Sequence, residues 1–208
     1  MKRIVHRILT LAYLLVVGCN DTPKQSEKRE APSESSQEQE KPRTEIPEDD
    51  QIKKILEAIV KDDLETVRKI FSNTIDPDFT FADGKTVLSA AASLGNEGAT
   101  KLMLEIGADP TKGDQRGMTP LHYAALYGRG DAVIPLLINA GASVNAQENT
   151  GLTPLHCAAT GDSENTVKVL LNLGADTRLK DNFGSTPAKT AELNEKVDLS
   201  KLIQAHKK

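Results

Sequence analysis

One adjacent pair of side chains has the types for chemistry: His156 and Cys157, in the stretch "GLTPLHCAAT" over residues 151–160. An imidazole beside a thiol could be a base with its nucleophile, or half of a metal site. Catalysis needs the base within hydrogen-bond reach and oriented by a third group. In a helix, neighbours i and i+1 point about 100° apart, so adjacency works against such contact. A zinc site wants four ligands grouped at short spacing. The chain has two cysteines, Cys19 and Cys157, and four histidines scattered from His6 to His206. No catalytic residue, metal or cofactor is therefore assigned, and the chain is read as a non-enzyme.

The elements that position the pair recur. "GMTPLHYAAL" begins 34 residues earlier at Gly117, "GKTVLSAAAS" another 33 earlier at Gly84, and "GSTPAKTAEL" 33 later at Gly184. A period in this range marks a repeat architecture. Within a unit, Thr119-Pro120 reads as a helix start, with a hydroxyl cap and a proline where its missing N–H is not needed. Small Ala124 and Ala125 admit a close second helix, which carries Val133, Ile134, Leu136 and Leu137 and ends at Gly141. A polar, turn-rich stretch then leads to the next glycine. No unit can build a core alone, and stacking supplies one. The expected fold is an all-α solenoid of helix-turn-helix units with hairpin-like loops. Its units span 51–83, 84–116, 117–150, 151–183 and 184–208, about five including caps.

The N-terminal fifty residues have another composition. Residues 1–19 carry three basic and no acidic groups around an apolar run from Ile8 to Val17. That is a signal-peptide layout, too short to span a membrane. The ending Val16-Val17-Gly18-Cys19 resembles the bacterial lipobox. The resemblance implies cleavage after residue 18 and lipid on Cys19. Residues 20–50 carry five basic against ten acidic groups and four prolines. This composition predicts an unstructured acidic tether reaching about 30 Å. Residues 51–208 are nearly balanced, eighteen basic to twenty acidic. No concentrated basic surface is present for nucleic acid.

Period, the hexapeptides Thr119-Pro-Leu-His-Tyr-Ala124 and Thr153-Pro-Leu-His-Cys-Ala158, and the Gly107-Ala-Asp109 and Gly174-Ala-Asp176 endings resemble ankyrin repeats over residues 51–208. The resemblance implies that Thr119, His122, Thr153 and His156 are structural, each histidine hydrogen-bonding the helix start and the neighbouring turn, and that Cys157 packs inward. It also implies a concave binding face made by loop tips and first-helix ends. Placed on that pattern, the partner-binding candidates are Lys85, Leu94, Arg116, Met118, Leu126, Tyr127, Leu152 and Phe183. With Phe79 and Phe81 in the loops, they suggest an apolar patch rimmed by Asp83, Lys85 and Arg116; the alternative is that such side chains close gaps between loops. The extra residue of the third unit falls in Arg129-Gly130-Asp131, where Asp131 is a natural N-cap and an adhesive role is the alternative. Pro135 is tolerated if it lies in a first helical turn.

The functional expectation is a lipid-anchored interaction module facing the periplasm, a monomer alone, that binds one protein partner. Exported ankyrin lipoproteins resemble immunity proteins against antibacterial effectors, such as phospholipases delivered by type VI secretion. The alternative is a structural or protective envelope scaffold, or a host-surface binding protein. Asn20 follows the lipobox cysteine, where Asp resembles an inner-membrane retention signal, so an outer-membrane location is preferred.

Overall fold

A computed structural model describes residues 49–72, 75–128, 131–161 and 163–206. The signal peptide, Cys19, the tether to residue 48, and Arg129 and Gly130 lie outside the described residues. Five helix pairs follow one another: α1 (Asp49–Lys61) with α2 (Leu64–Phe71), α3 (Val87–Leu94) with α4 (Glu97–Ile106), α5 (Pro120–Leu126) with α6 (Val133–Asn139), α7 (Pro154–Thr160) with α8 (Glu164–Asn172), and α9 (Pro187–Leu193) with α10 (Val197–Ala205). Among the described residues the only β feature is an isolated bridge between Thr80 and Thr86. Helix α1 already includes Asp49 and Asp50, which composition assigns to the tether.

First helices stack on first helices because their facing rows are small. Ala90, Ala91, Ala92, Ala124, Ala125, Ala158, Ala159 and Ala191 are all buried. Between these rows lie the equivalent leucines Leu88, Leu121 and Leu155, fully buried. Each contributes about 1.5–3 kcal/mol over an exposed leucine. Second helices α4, α6 and α8 add Leu102, Met103, Val133, Ile134, Leu137, Val167, Leu170 and Leu171 to the same continuous core.

The starts follow the sequence reading in detail. Thr86, Thr119, Thr153 and Thr186 hold extended N-cap backbones, and Pro120, Pro154 and Pro187 open the helices behind the last three. Pro135 is the third residue of α6, inside its first turn. Asp131 does not cap α6. The N-cap is Ala132, without a side-chain bond. The Asp131 carboxylate instead accepts a hydrogen bond from the Asn165 amide of the next repeat.

The last helix pair is joined by polar side chains. Glu192 accepts from Lys189 at 3.1 Å, from Ser200 at 3.1 Å and from Gln204 at 3.1 Å. The last two of these bonds tie α9 to α10.

Candidate protein-binding face

The loops between helix pairs are short fingers built on one plan. Each closes with a backbone bond: Phe81 N–H to Lys85 O, Asp114 to Met118, Glu148 to Leu152 and Asp181 to Ser185, at 2.9–3.1 Å. The turn residue is glycine at φ near +80° in all four, Gly84, Gly117, Gly151 and Gly184, a conformation that penalises any Cβ. In three fingers the base is a carboxylate that accepts backbone N–H groups from its own tip. Asp114 accepts from Arg116 and Met118, Glu148 from Thr150 and Leu152, and Asp181 from Phe183 and Ser185. Successive fingers are then tied together. Asn149 N–H donates to Arg116 O and Asn182 N–H to Thr150 O, each at 2.9 Å. The Asn149 and Asn182 amides bond Gln115 O and Asn149 O at 3.1 Å.

The histidines join helix starts to these fingers. His122 Nδ1 accepts from Thr119 N–H at 3.2 Å, and its Nε2 faces Leu152 O of the next finger at 3.1 Å. His156 repeats the arrangement with Thr153 N–H at 3.1 Å and Ser185 O at 3.0 Å. An acceptor at Nε2 and a donor at Nδ1 assign the proton to Nε2. Burial lowers both imidazole pKa values, which keeps the rings neutral. Cys157 is buried beside this row, and burial pushes its thiol up to about 12. A thiol so protonated is a packing group, not a nucleophile. Among the described residues no three His, Cys, Asp or Glu side chains group as metal ligands.

The eight partner-binding candidates separate into two sets. Phe183 is 84% exposed at the last finger tip and Tyr127 is 37% exposed at the end of α5. Arg116 presents a side chain 65% exposed. Leu94, Leu126 and Leu152 are only partly exposed and pack on the core. Met118 is buried, 7% exposed, because the hairpin closure turns it back toward the stack. Lys85 has a side chain only 12% exposed, paired with Asp83 at 2.9 Å. Its ammonium lies over the Tyr123 ring, 5.1 Å from the centroid. Phe79 and Phe81 meet edge to face at 5.6 Å, closing the first finger instead of facing solvent. In place of the expected continuous apolar patch stand separate exposed side chains, and gap-filling accounts for the rest.

Sequence reasoning missed two features. Leu193, 67% exposed at the end of α9, occupies the repeat position of Leu126. Counting two residues on from Ala191, as from Ala124, would have found it. The second is a buried knot under the second finger. Tyr123 is buried and its hydroxyl donates to Asp114 Oδ2 at 2.5 Å. Arg116 Nη2 donates to the same hydroxyl at 3.2 Å, while Nε stands 3.7 Å from Asp114. The bond to Tyr123 raises the Arg116 pKa further. Burial raises the Tyr127 phenol, and the Arg116 charge pulls against it.

A family model described as ankyrin repeats, in three copies, matches residues 55–148 and again 130–207. Over 83 residues, 40% of this chain, the sequence is 35% identical to the human SH3 and multiple ankyrin repeat domains protein 2. Over 46 residues, 22% of this chain, it is 52% identical to Protein HOS4 of Saccharomyces cerevisiae. Each alignment covers 4% of the relative's length, so the likeness is one of repeats.

Proposed function

Because this chain belongs to the ankyrin-repeat family and its repeats form a protein–protein interaction module, we propose that it works as a dedicated binder, holding one protein partner on the finger side. The observation that carries the reading is the contrast between scaffold and tip. Backbone and carboxylates are satisfied within the fingers, while Arg116 and Phe183 project from them and Tyr127 from the end of α5. Aromatic and arginine side chains on a rigid support are the types that anchor interfaces. Rigidity also lowers the ordering cost of binding.

The location follows from the lipobox-like Val16-Val17-Gly18-Cys19 and the acidic segment behind it. In this reading Cys19 carries lipid and holds the repeats in the cell envelope, facing the periplasm, with the outer membrane preferred. A binder tethered there suits a partner that attacks the membrane, such as an antibacterial phospholipase effector, and the chain would act as its immunity protein. Two results test it. Labelled palmitate should enter the wild-type chain and not Cys19→Ala. Cells lacking the protein should be killed by wild-type siblings, and the captured partner should bind one to one. Unlabelled wild-type chain ends the envelope reading. Unimpaired survival together with several weak partners ends the immunity reading and leaves a scaffold.

A further inference from the structure

The finger side carries an arginine whose guanidinium is held on one edge and open on the other. Nε and Nη2 face Asp114 and the Tyr123 hydroxyl. On a planar guanidinium these two groups form one donor edge. Nη1 and the outer N–H of Nη2 form the end-on edge, which makes no hydrogen bond among the described residues. That second edge matches the spacing of two carboxylate oxygens.

The carboxylates nearby are already committed to donors of their own, which leaves the end-on edge unspent. Asp114 is 3% exposed and accepts from two backbone N–H groups and Tyr123, Glu148 is buried on its own tip, and Asp83 is paired with Lys85. Asp181 is likewise engaged by Phe183 and Ser185. The Arg116 side chain, by contrast, is 65% exposed. Tyr127 lies one helical turn beyond Tyr123, at the end of α5, and offers a half-exposed ring.

Resting on the binding role above, we infer that Arg116 is the anchor for a carboxylate of the partner, an aspartate or glutamate on a loop whose neighbouring apolar side chain packs on Tyr127. Tyr123 is a positioning residue. It touches no partner, and its hydroxyl fixes the plane of the guanidinium so that the end-on edge meets the incoming carboxylate without a search among rotamers.

The test is a selection of disulfide-closed random peptides displayed on phage against the full chain in mild detergent. The expected result is enrichment of peptides with Asp or Glu beside an apolar residue. Their affinity should fall by about thirtyfold or more on Arg116→Ala, as for an anchoring residue. Arg116→Lys, which keeps the charge and loses the fork, should fall nearly as far. Arg116→Glu should select Lys or Arg in their place. Tyr123→Phe should weaken acidic peptides and leave peptides bound at other fingers unchanged. A thermal melt of each variant shows that the repeats remain folded. Peptides without acidic bias that are lost on Tyr127→Ala but indifferent to Arg116 overturn this inference and leave the finger-side reading standing. Peptides indifferent to both overturn the two together. A chain that self-associates through this face, or whose own acidic residues 20–48 fill it, selects no acidic peptides, and that result overturns the inference as well.

Discussion

His122 Nε2 lies 3.1 Å from the carbonyl oxygen of Leu152, thirty residues further along the chain and one repeat away. A side chain that begins one helix thereby holds the finger of the next. His156 and Ser185 extend the same link by one unit. The equivalent position in the second unit is Ser89, which bonds Thr86 within its own turn. The first and second fingers are joined instead by Lys112 on Asp78 O at 2.8 Å and Gln115 on Ala82 O at 3.1 Å.

These links make stability depend on pH in a defined window. Burial holds both imidazoles below their ordinary pKa, whereas an unfolded chain titrates near about 6.5. Between the two values the unfolded state binds more protons. Stability is therefore full above about pH 6.5 and falls as pH drops through it. Carboxylates held low by hydrogen bonds, such as Asp109 by Thr111, act only nearer pH 4. Urea titrations should show wild type losing stability from pH 7 to 5. His122→Gln with His156→Gln, which keeps an N3 acceptor, should cost about 0.5–1.5 kcal/mol per site at pH 7.5 and flatten that slope. A flat wild-type profile contradicts the account.

Gly151 and Gly184 share φ near +80° but not their surroundings. A Cβ on Gly151 would lie 2.8 Å from Asn182 Oδ1 and 3.0 Å from Asn182 N, whereas one on Gly184 meets nothing within 4 Å. Gly184→Ala should cost about 1–2 kcal/mol, the left-handed backbone penalty alone. Gly151→Ala should cost clearly more, because the fingers must separate and the Asn182 to Thr150 bond is lost. Equal losses in denaturant unfolding would refute the finger-pairing argument.

Glu195 occupies a left-handed turn at φ 61°, where the equivalent residues of the second and third units are Gly95 and Gly128. Glu195→Gly relieves a backbone penalty of about 1–2 kcal/mol and gives back part of it in unfolded-state entropy. A net gain of about 0.5–1 kcal/mol is expected, read as a rise in Tm. A fall would mean that the Glu195 side chain has a role not seen in its contacts.

Cys157 should be inert until the repeats open. With Cys19→Ser as background, a thiol reagent at pH 8 should label the native chain no faster than it unfolds, consistent with a buried thiol pushed up to about 12. Stoichiometric labelling within seconds would show an accessible thiol.

Local signals were legible in the sequence and contacts across elements were not. Thr153-Pro154-Leu155-His156 declares its capping role because every partner but one lies within three residues. Helix pairing and the repeat period follow from alanine and leucine spacing for the same reason. Met118 was misread because its burial depends on the hairpin closing back over it, which composition does not reveal. Asp131 was misread because its carboxylate is taken up by Asn165 of the next repeat, a contact local sequence does not reveal. The Asp114, Arg116 and Tyr123 knot joins a finger to a helix nine residues away, and only folding brings it together. Leu193 was within reach of the repeat register, but the polar residues around it masked the pattern.

The central claim is that partners are held on the finger side and not on the second helices. The most direct measurement places a photo-crosslinking amino acid, one site at a time, at Phe183, Tyr127 and Gln115, and at Lys101 and Lys168, exposed on α4 and α8, in cells producing the full chain. The account predicts one discrete cross-linked species from the first three positions and none from Lys101 or Lys168. Cross-linking from Lys101 and Lys168, with Phe183, Tyr127 and Gln115 silent, would contradict it.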